Sequence, residues 1–228
     1  MTERYHAILA DRLSPQAQDR LHQMTTAIGE KPAAIAVLFP AAAREVGRGP
    51  VDEGDPGGVL GPTLDDIVRG VLLLALAEAE PDPSDLLRHV GQLYRFGDSE
   101  ERRAVLRALA DLGLGQPAQY LVEDALRSND VRLIGAAMGD WAGAHLEDAA
   151  WRQGVLKCLF VGVPLAAVAR LTDRADAELA RMVAAFAHER LAAGRTIPPD
   201  AHPILDLFPG SLEQFPDVGA ALDSASSP

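Results

Sequence analysis

Lysine is nearly missing from this chain. Lys31 and Lys157 are the only two, so 19 of the 21 basic residues are arginine. The net charge is −12, and no block of four or more lysines and arginines occurs. A nucleic-acid-backbone binder needs a basic stripe, so that class is excluded, and anionic lipid repels such a chain. Cysteine occurs once, which rules out an internal disulfide. Cys158 lies in the apolar run Val155-Leu156-Lys157-Cys158-Leu159-Phe160, where a thiol is either a buried core residue or a reactive one. Long apolar runs are missing too. The most apolar stretch, residues 71–77, is far too short to span a bilayer, so direct membrane insertion is not expected. The opening Met1-Thr2-Glu3-Arg4-Tyr5-His6 leads into charge and shows no signal peptide, so a soluble cytoplasmic protein is expected. Aromatics make up only 5% of the chain and no useful two-residue alternation appears, which speaks against an all-β sandwich.

What the chain has is 39 alanines and 31 leucines in 228 residues. Alanine loses no side-chain entropy in a helix and leucine loses little, so the composition favours helix. Ser14-Pro15 reads as an N-cap followed by proline at the first helical position. Lys31-Pro32 opens a helix that Pro40 should interrupt. Thr63 should cap a helix reaching about residue 80, with Asp66 as its reciprocal partner. Ser84, Ser99, Asp130 and Asp148 should begin further helices, and 175–193 should form a long one with Leu179, Met182, Val183 and Phe186 as its apolar stripe. Four segments result: N-terminal helices (1–46), a flexible Gly/Pro-rich loop (47–62), a helical core (63–209) and a frayed C-terminal tail (210–228). Short helices with short links make antiparallel neighbours, and between 84 and 195 they come as pairs of about 30 residues. The expected fold is all-α: an array of antiparallel helical hairpins, an irregular α-solenoid, with a closed helical bundle as the alternative.

Three enzyme signatures each fail at a nameable position. His188-Glu189-Arg190-Leu191-Ala192 lacks the second histidine of a helical zinc site. Asp65-Asp66-Ile67-Val68-Arg69 puts an arginine where an aspartate-rich magnesium site needs a third carboxylate. Gly54-Asp55-Pro56-Gly57-Gly58 is glycine-rich but has no preceding strand and no Gly-Lys-Ser/Thr ending. The six histidines are scattered without metal-ligand spacing, so neither a metal nor a cofactor is implied.

The densest unusual run is 140–160, which holds both tryptophans and Lys157. A lysine kept inside an apolar helix either acts as a base or nucleophile, or packs its stem while its amine reaches out. Trp141 and Trp151 are packing residues or ligand platforms, and His145 is a turn residue or a contact. On a helix Arg181, His188 and Arg195, seven apart, share a face, with Glu178 and Glu189 on a neighbouring line. Such a face is solvated, or it binds an anion or acidic partner through arginine forks.

Longer stretches carry a resemblance. His145-Leu146 through Ala149-Ala150-Trp151-Arg152-Gln153, then Val155-Leu156-Lys157-Cys158-Leu159-Phe160-Val161-Gly162-Val163-Pro164-Leu165, resembles the core of the EboA family. So do Arg174-Ala175-Asp176-Ala177-Glu178-Leu179-Ala180-Arg181-Met182 and Ala187-His188-Glu189-Arg190-Leu191-Ala192-Ala193-Gly194-Arg195. The match runs from about residue 92 to 200 and departs at Arg152 and Leu191, where other members often carry asparagine and tryptophan. The resemblance implies a bacterial metabolite traffic protein from a small gene cluster. Products of that cluster resemble a UbiA-type membrane prenyltransferase, a TatD-like metal hydrolase and a sugar-isomerase-like barrel, among others. The family supplies no catalytic residue to carry over.

Three functions follow. The first is a non-catalytic accessory protein in secondary metabolism, holding a small metabolite, prenylated or not, or another product of its cluster such as the prenyltransferase. Its concave face would be built from 140–196, with His145, Lys157, Arg181, His188 and Glu189 as polar contacts and Trp151 as a stacking wall. The second is an enzyme with Lys157 or His188 as acid-base groups, converging with Glu178 or Glu189 in a closed pocket. The third is a helical-repeat adaptor with a long exposed apolar patch.

Overall fold

Short oxygen-bearing side chains set many of the helix starts. In the computed structural model, which describes residues 2–225 and side chains from Tyr5 to Ser224, fourteen α-helices and six short 3-10 turns form the regular structure, and no strand occurs among the described residues. The first half holds α1 (Thr2–Arg12), α2 (Pro15–Glu30), α3 (Ile35–Glu45), α4 (Leu64–Ala79), α5 (Pro83–Phe96), α6 (Ser99–Ala108) and α7 (Gln119–Arg127). The second holds α8 (Val131–Ala137), α9 (Asp140–His145), α10 (Asp148–Val161), α11 (Leu171–Arg174), α12 (Ala177–Ala192), α13 (His202–Leu207) and α14 (Pro216–Ala225).

Ser14 caps α2 by accepting the Ala17 N–H, and Asp130 caps α8 by accepting the Arg132 N–H, as the sequence predicts. Two starts shift by one or two residues. Asp82, not Ser84, caps α5, and Asp98, not Ser99, caps α6. In each case a carboxylate lies just ahead of the serine, and the ionised acceptor is the stronger partner for the helix's first N–H groups. Pro40 does not interrupt its helix: α3 runs through it, giving up one i→i−4 hydrogen bond. At the C-terminal end, α14 occupies 216–225, with Val218 fully buried.

α4 lies deep in the molecule, packed on α2 and α3 and, on its other side, on α6. α6 continues to α8, α8 to α10, and α10 to α12, while α13 and α14 close against α12. A single apolar core runs through all of these, from Leu9 to Val218.

A buried seam of charge crosses that core between α4 and α6. Asp65, Asp66, Arg69 and Arg103 are each 4% exposed or less. Arg103 Nε donates to both Asp66 oxygens, at 3.1 and 2.8 Å, and its Nη2 donates to the Thr63 hydroxyl at 2.9 Å. Asp66 also accepts the Thr63 N–H at 3.0 Å, the predicted reciprocal cap. Arg69 Nη1 donates to Asp65 at 2.9 Å, one turn back on α4. Arg69 thus answers Asp65 while Arg103 answers Asp66, so both carboxylates are already engaged by guanidinium groups.

The 47–62 segment lies over this seam. Arg103 donates to the Gly57 carbonyl at 3.3 Å, and Arg107 donates to the carbonyls of Gly58 and Val59 at 2.8 and 3.0 Å. Asp55 accepts three backbone N–H groups, from Val59, Leu60 and Gly61. Burial pushes its carboxyl upward, but those donors outweigh it and hold the group below its ordinary value. Gly58 sits at φ +67°, and a Cβ there would lie 2.8 Å from the Thr63 methyl. Glycine therefore lets the segment close over the seam.

Candidate functional site

Three of the six residues singled out in the sequence meet in one place. Lys157, on α10, and Arg181 and Glu189, on α12, line a groove of about 440 Å³ whose apolar walls are Leu156, Phe160, Met182 and Phe186. Phe160 is 70% exposed. Two of the three charged residues there already have partners. Lys157 Nζ donates to the Asn129 side chain at 2.9 Å, and Arg181 makes a two-pronged pair with Glu178 at 2.8 and 2.7 Å. Behind this groove Arg152 pairs with Asp176, which also accepts the Leu179 N–H and so caps α12. Arg152 locks α10 to the start of α12 and, with the cap, holds the Asp176 carboxyl low.

The other three lie elsewhere. Trp151 is 1% exposed, with the Arg174 guanidinium 4.8 Å above its ring. It is a core wall and does not line the groove. His145 is exposed at the end of α9, its ring 4.9 Å from that of Trp141. His188 pairs with Asp217 of α14 at 2.8 Å, and its ring lies 5.6 Å from Phe215. Of the residues that the seven-residue spacing joins, Arg181 and His188 both lie on α12, two turns apart. α14 packs on the His188 side of α12, and Arg195 lies beyond the last helical residue. Lys157 and His188 therefore do not converge. Cys158 is fully buried, and burial pushes its thiol up to about 12, so it is the inert core residue of the two readings.

The larger groove was not visible in the sequence. It lies between α5 and α7, measures about 850 Å³, and carries four arginines: Arg88, Arg95, Arg102 and Arg127. Its apolar surface comes from Leu87, Tyr94, Phe96 and Tyr120. Phe96 is 78% exposed, and Tyr120 is also exposed. Gly91 is what lets Tyr120 in: a Cβ there would stand 2.4 Å from the tyrosine oxygen.

Charge in this groove is unbalanced. Asp124 is the one acid in its lining. It accepts the Tyr94 hydroxyl at 3.1 Å and faces Arg127 at 3.3 Å. Burial, followed by the Asp124 charge, raises the Tyr94 hydroxyl well above its ordinary value, so it remains a donor. Arg88 pairs with Asp85 at 2.8 Å. Arg102 lies over the Tyr94 ring at 5.5 Å and donates to the Gly97 and Arg95 carbonyls, at 3.1 and 3.3 Å. The Arg95 guanidinium lies over the Phe96 ring at 5.5 Å. Among the described residues no carboxylate stands within ion-pair distance of Arg95, or of Arg102. A chain of net charge −12 thus presents a locally positive, aromatic-lined groove. One signal for it was available: Arg88 and Arg95 are seven apart on α5 and flank Gly91. Arg127 and Tyr120, on a distant helix, complete it.

An open cleft of guanidinium groups and aromatic rings can bind and orient an anion. It offers no nucleophile beside a base, and among the described residues no group of three or more histidines, cysteines or acids could hold a metal. Nor is any helix of the described residues long and apolar enough to cross a membrane. In comparison with known proteins, a family model described as metabolite traffic protein EboA matches residues 61–206, a stretch that contains both grooves. No curated protein and no solved structure matches the chain.

Proposed function

The chain belongs to the EboA family, the metabolite traffic proteins, and from that membership we propose that it works by binding: a non-catalytic accessory protein that holds a small anionic metabolite in the α5/α7 groove and presents it to other products of its cluster. The observation that carries this reading is the reversal of charge sign in the groove, with four arginines around exposed aromatic rings and a single acid in the lining. Packing order supports an array of helical hairpins as the scaffold. α3 packs on α4, α5 on α6 and α7 on α8, and α4, α6 and α8 pack on one another in turn. A groove between α5 and α7 is then a gap between neighbouring pairs. The bacterial, cytoplasmic setting and the prenylated or unprenylated nature of the metabolite belong to the same proposal.

The test is retention. Protein purified from a host carrying the whole cluster is denatured, and its released small molecules are measured by mass spectrometry. Wild type should release an anionic metabolite that the Phe96→Ala/Tyr120→Ala variant does not. Identical sets from the two proteins would overturn the reading.

A second reading is favoured by Phe160. It is largely exposed beside Phe186 and Met182 and within reach of Lys157, Arg181 and Glu189, which suits a docking surface for a partner protein from the cluster. Phe160→Asp should then abolish binding of the purified partner and leave metabolite retention intact.

A further inference from the structure

We propose that the α5/α7 groove selects a phosphate ester of an aromatic or otherwise flat apolar body, over a carboxylate of the same body. This rests on the binding reading above and names the ligand class for that site.

The headgroup follows from charge. Arg88 faces Asp85, and Arg127 faces Asp124. Arg95 and Arg102 face no carboxylate among the described residues. Two guanidinium charges are therefore left over, and both residues line the one groove, where Arg102 Nη2 also donates to the Arg95 backbone carbonyl. A carboxylate neutralises one of them. A phosphate monoester carries −1.5 to −2 at neutral pH and has three acceptor oxygens, so it answers both, about one charge each. Arg102 is also preorganised. Its Nε and Nη2 are fixed on backbone carbonyls and its plane lies against Tyr94, so little side-chain freedom remains to be lost on binding.

The body follows from the rings. Phe96 and Tyr120 are exposed, and Arg95 already stacks on Phe96. A planar ligand can extend that stack while its phosphate meets the guanidinium groups. Leu87 adds aliphatic surface in the same groove.

The full chain is titrated calorimetrically with 1-naphthyl phosphate, 1-naphthoate, 1-naphthol and inorganic phosphate. The naphthyl phosphate should bind about tenfold more tightly than the naphthoate, the worth of one more charge-assisted hydrogen bond. Its affinity should fall below about pH 6, where the phosphate takes up its second proton. Arg95→Gln should weaken naphthyl phosphate about tenfold and leave naphthol unchanged. The Arg95 side chain makes no hydrogen bond to another described residue, and an unchanged melting temperature checks that the variant is folded. Tyr120→Ala should weaken all three naphthyl probes and not inorganic phosphate. Naphthoate binding as tightly as naphthyl phosphate overturns the phosphate assignment. Inorganic phosphate binding as tightly as naphthyl phosphate overturns the aromatic one. If no naphthyl probe binds, the ligand class is overturned as a whole. The retention experiment decides the binding reading separately, because it uses the cell's own metabolites and no synthetic probe.

Discussion

Arg102 and Arg103 are consecutive residues of α6, and they serve opposite ends. Arg103 turns into the seam against α4, where it is 2% exposed and meets Asp66, Thr63 and the Gly57 carbonyl. Arg102 turns into the α5/α7 groove, where it meets two carbonyls, a tyrosine face and, among the described residues, no carboxylate. The seam pairs Arg69 with Asp65 and Arg103 with Asp66, and Arg107 beside them meets the carbonyls of the overlying loop. The groove leaves positive charge over. Burial explains the difference. A guanidinium withdrawn from water must be paired, because an unpaired buried charge costs several kcal/mol. One at the surface can remain unpaired because water solvates it, and it is then available to a ligand. The same residue type thus holds the fold together in one region and offers chemistry in the other, and pairing tells the two apart.

Breaking the seam should produce the largest effect. Asp66→Ala removes the carboxylate from Arg103 and takes an acceptor from the Thr63 cap. Burial already pushes the Asp66 carboxyl up while Arg103 pulls it down, so the two groups depend on each other. Urea unfolding should show a loss of about 3–5 kcal/mol. Replacing both partners, as Asp66→Leu/Arg103→Met, should recover much of it, since an apolar pair needs no desolvation. A loss below about 1 kcal/mol for Asp66→Ala would show that the seam is not the paired structure described here.

The seam also shows what the sequence can and cannot reveal. Asp66 was legible as a cap partner, because three-residue spacing is local. Its second role was not, because Arg103 lies 37 residues further on and only the packing of α4 on α6 joins them. The loop over the seam read as glycine and proline alone, and nothing in that composition says that its carbonyls receive two arginines. The all-α class was legible from alanine, leucine and the caps. Of the site residues, Lys157, Arg181 and Glu189 did converge, because each lies on the outward side of a long helix. Trp151 did not, because large aromatics complete cores. The α5/α7 groove stayed hidden, with its four arginines spread over three helices.

Two smaller changes test the loop. Gly58→Ala puts a side chain at φ +67°, 2.8 Å from the Thr63 methyl. It should cost about 1–2 kcal/mol by the left-handed penalty alone, and more if Thr63 has to move. Thermal unfolding checks this, and an unchanged melting temperature would mean that the loop does not depend on Gly58. Asp55 gives a pH signature. Its folded carboxyl is held below its ordinary value, so its contribution is fully present above about pH 4 and is lost as pH falls through the lower folded value. Wild type should lose roughly 1 kcal/mol more than Asp55→Asn across that acid window, an amount reduced by partial solvent screening. Parallel stability profiles for the two proteins would remove Asp55 from the account.

The smallest expected effect on stability carries the comparison furthest. Arg95→Gln removes a positive charge from the groove but, among the described residues, no ion pair and no side-chain hydrogen bond, and it gives up the contact with an exposed Phe96 ring. Unfolding free energy should stay within about 0.5 kcal/mol of wild type, as for surface positions generally. Asp66→Ala, by contrast, strands a charge in the core. If pairing separates the arginines that hold the fold from those that serve a ligand, Arg95→Gln must be silent in the melt and visible in the titration. A loss above about 1 kcal/mol would place Arg95 with the structural set and leave Arg102 as the groove's one unpaired guanidinium, too little charge to prefer a dianion.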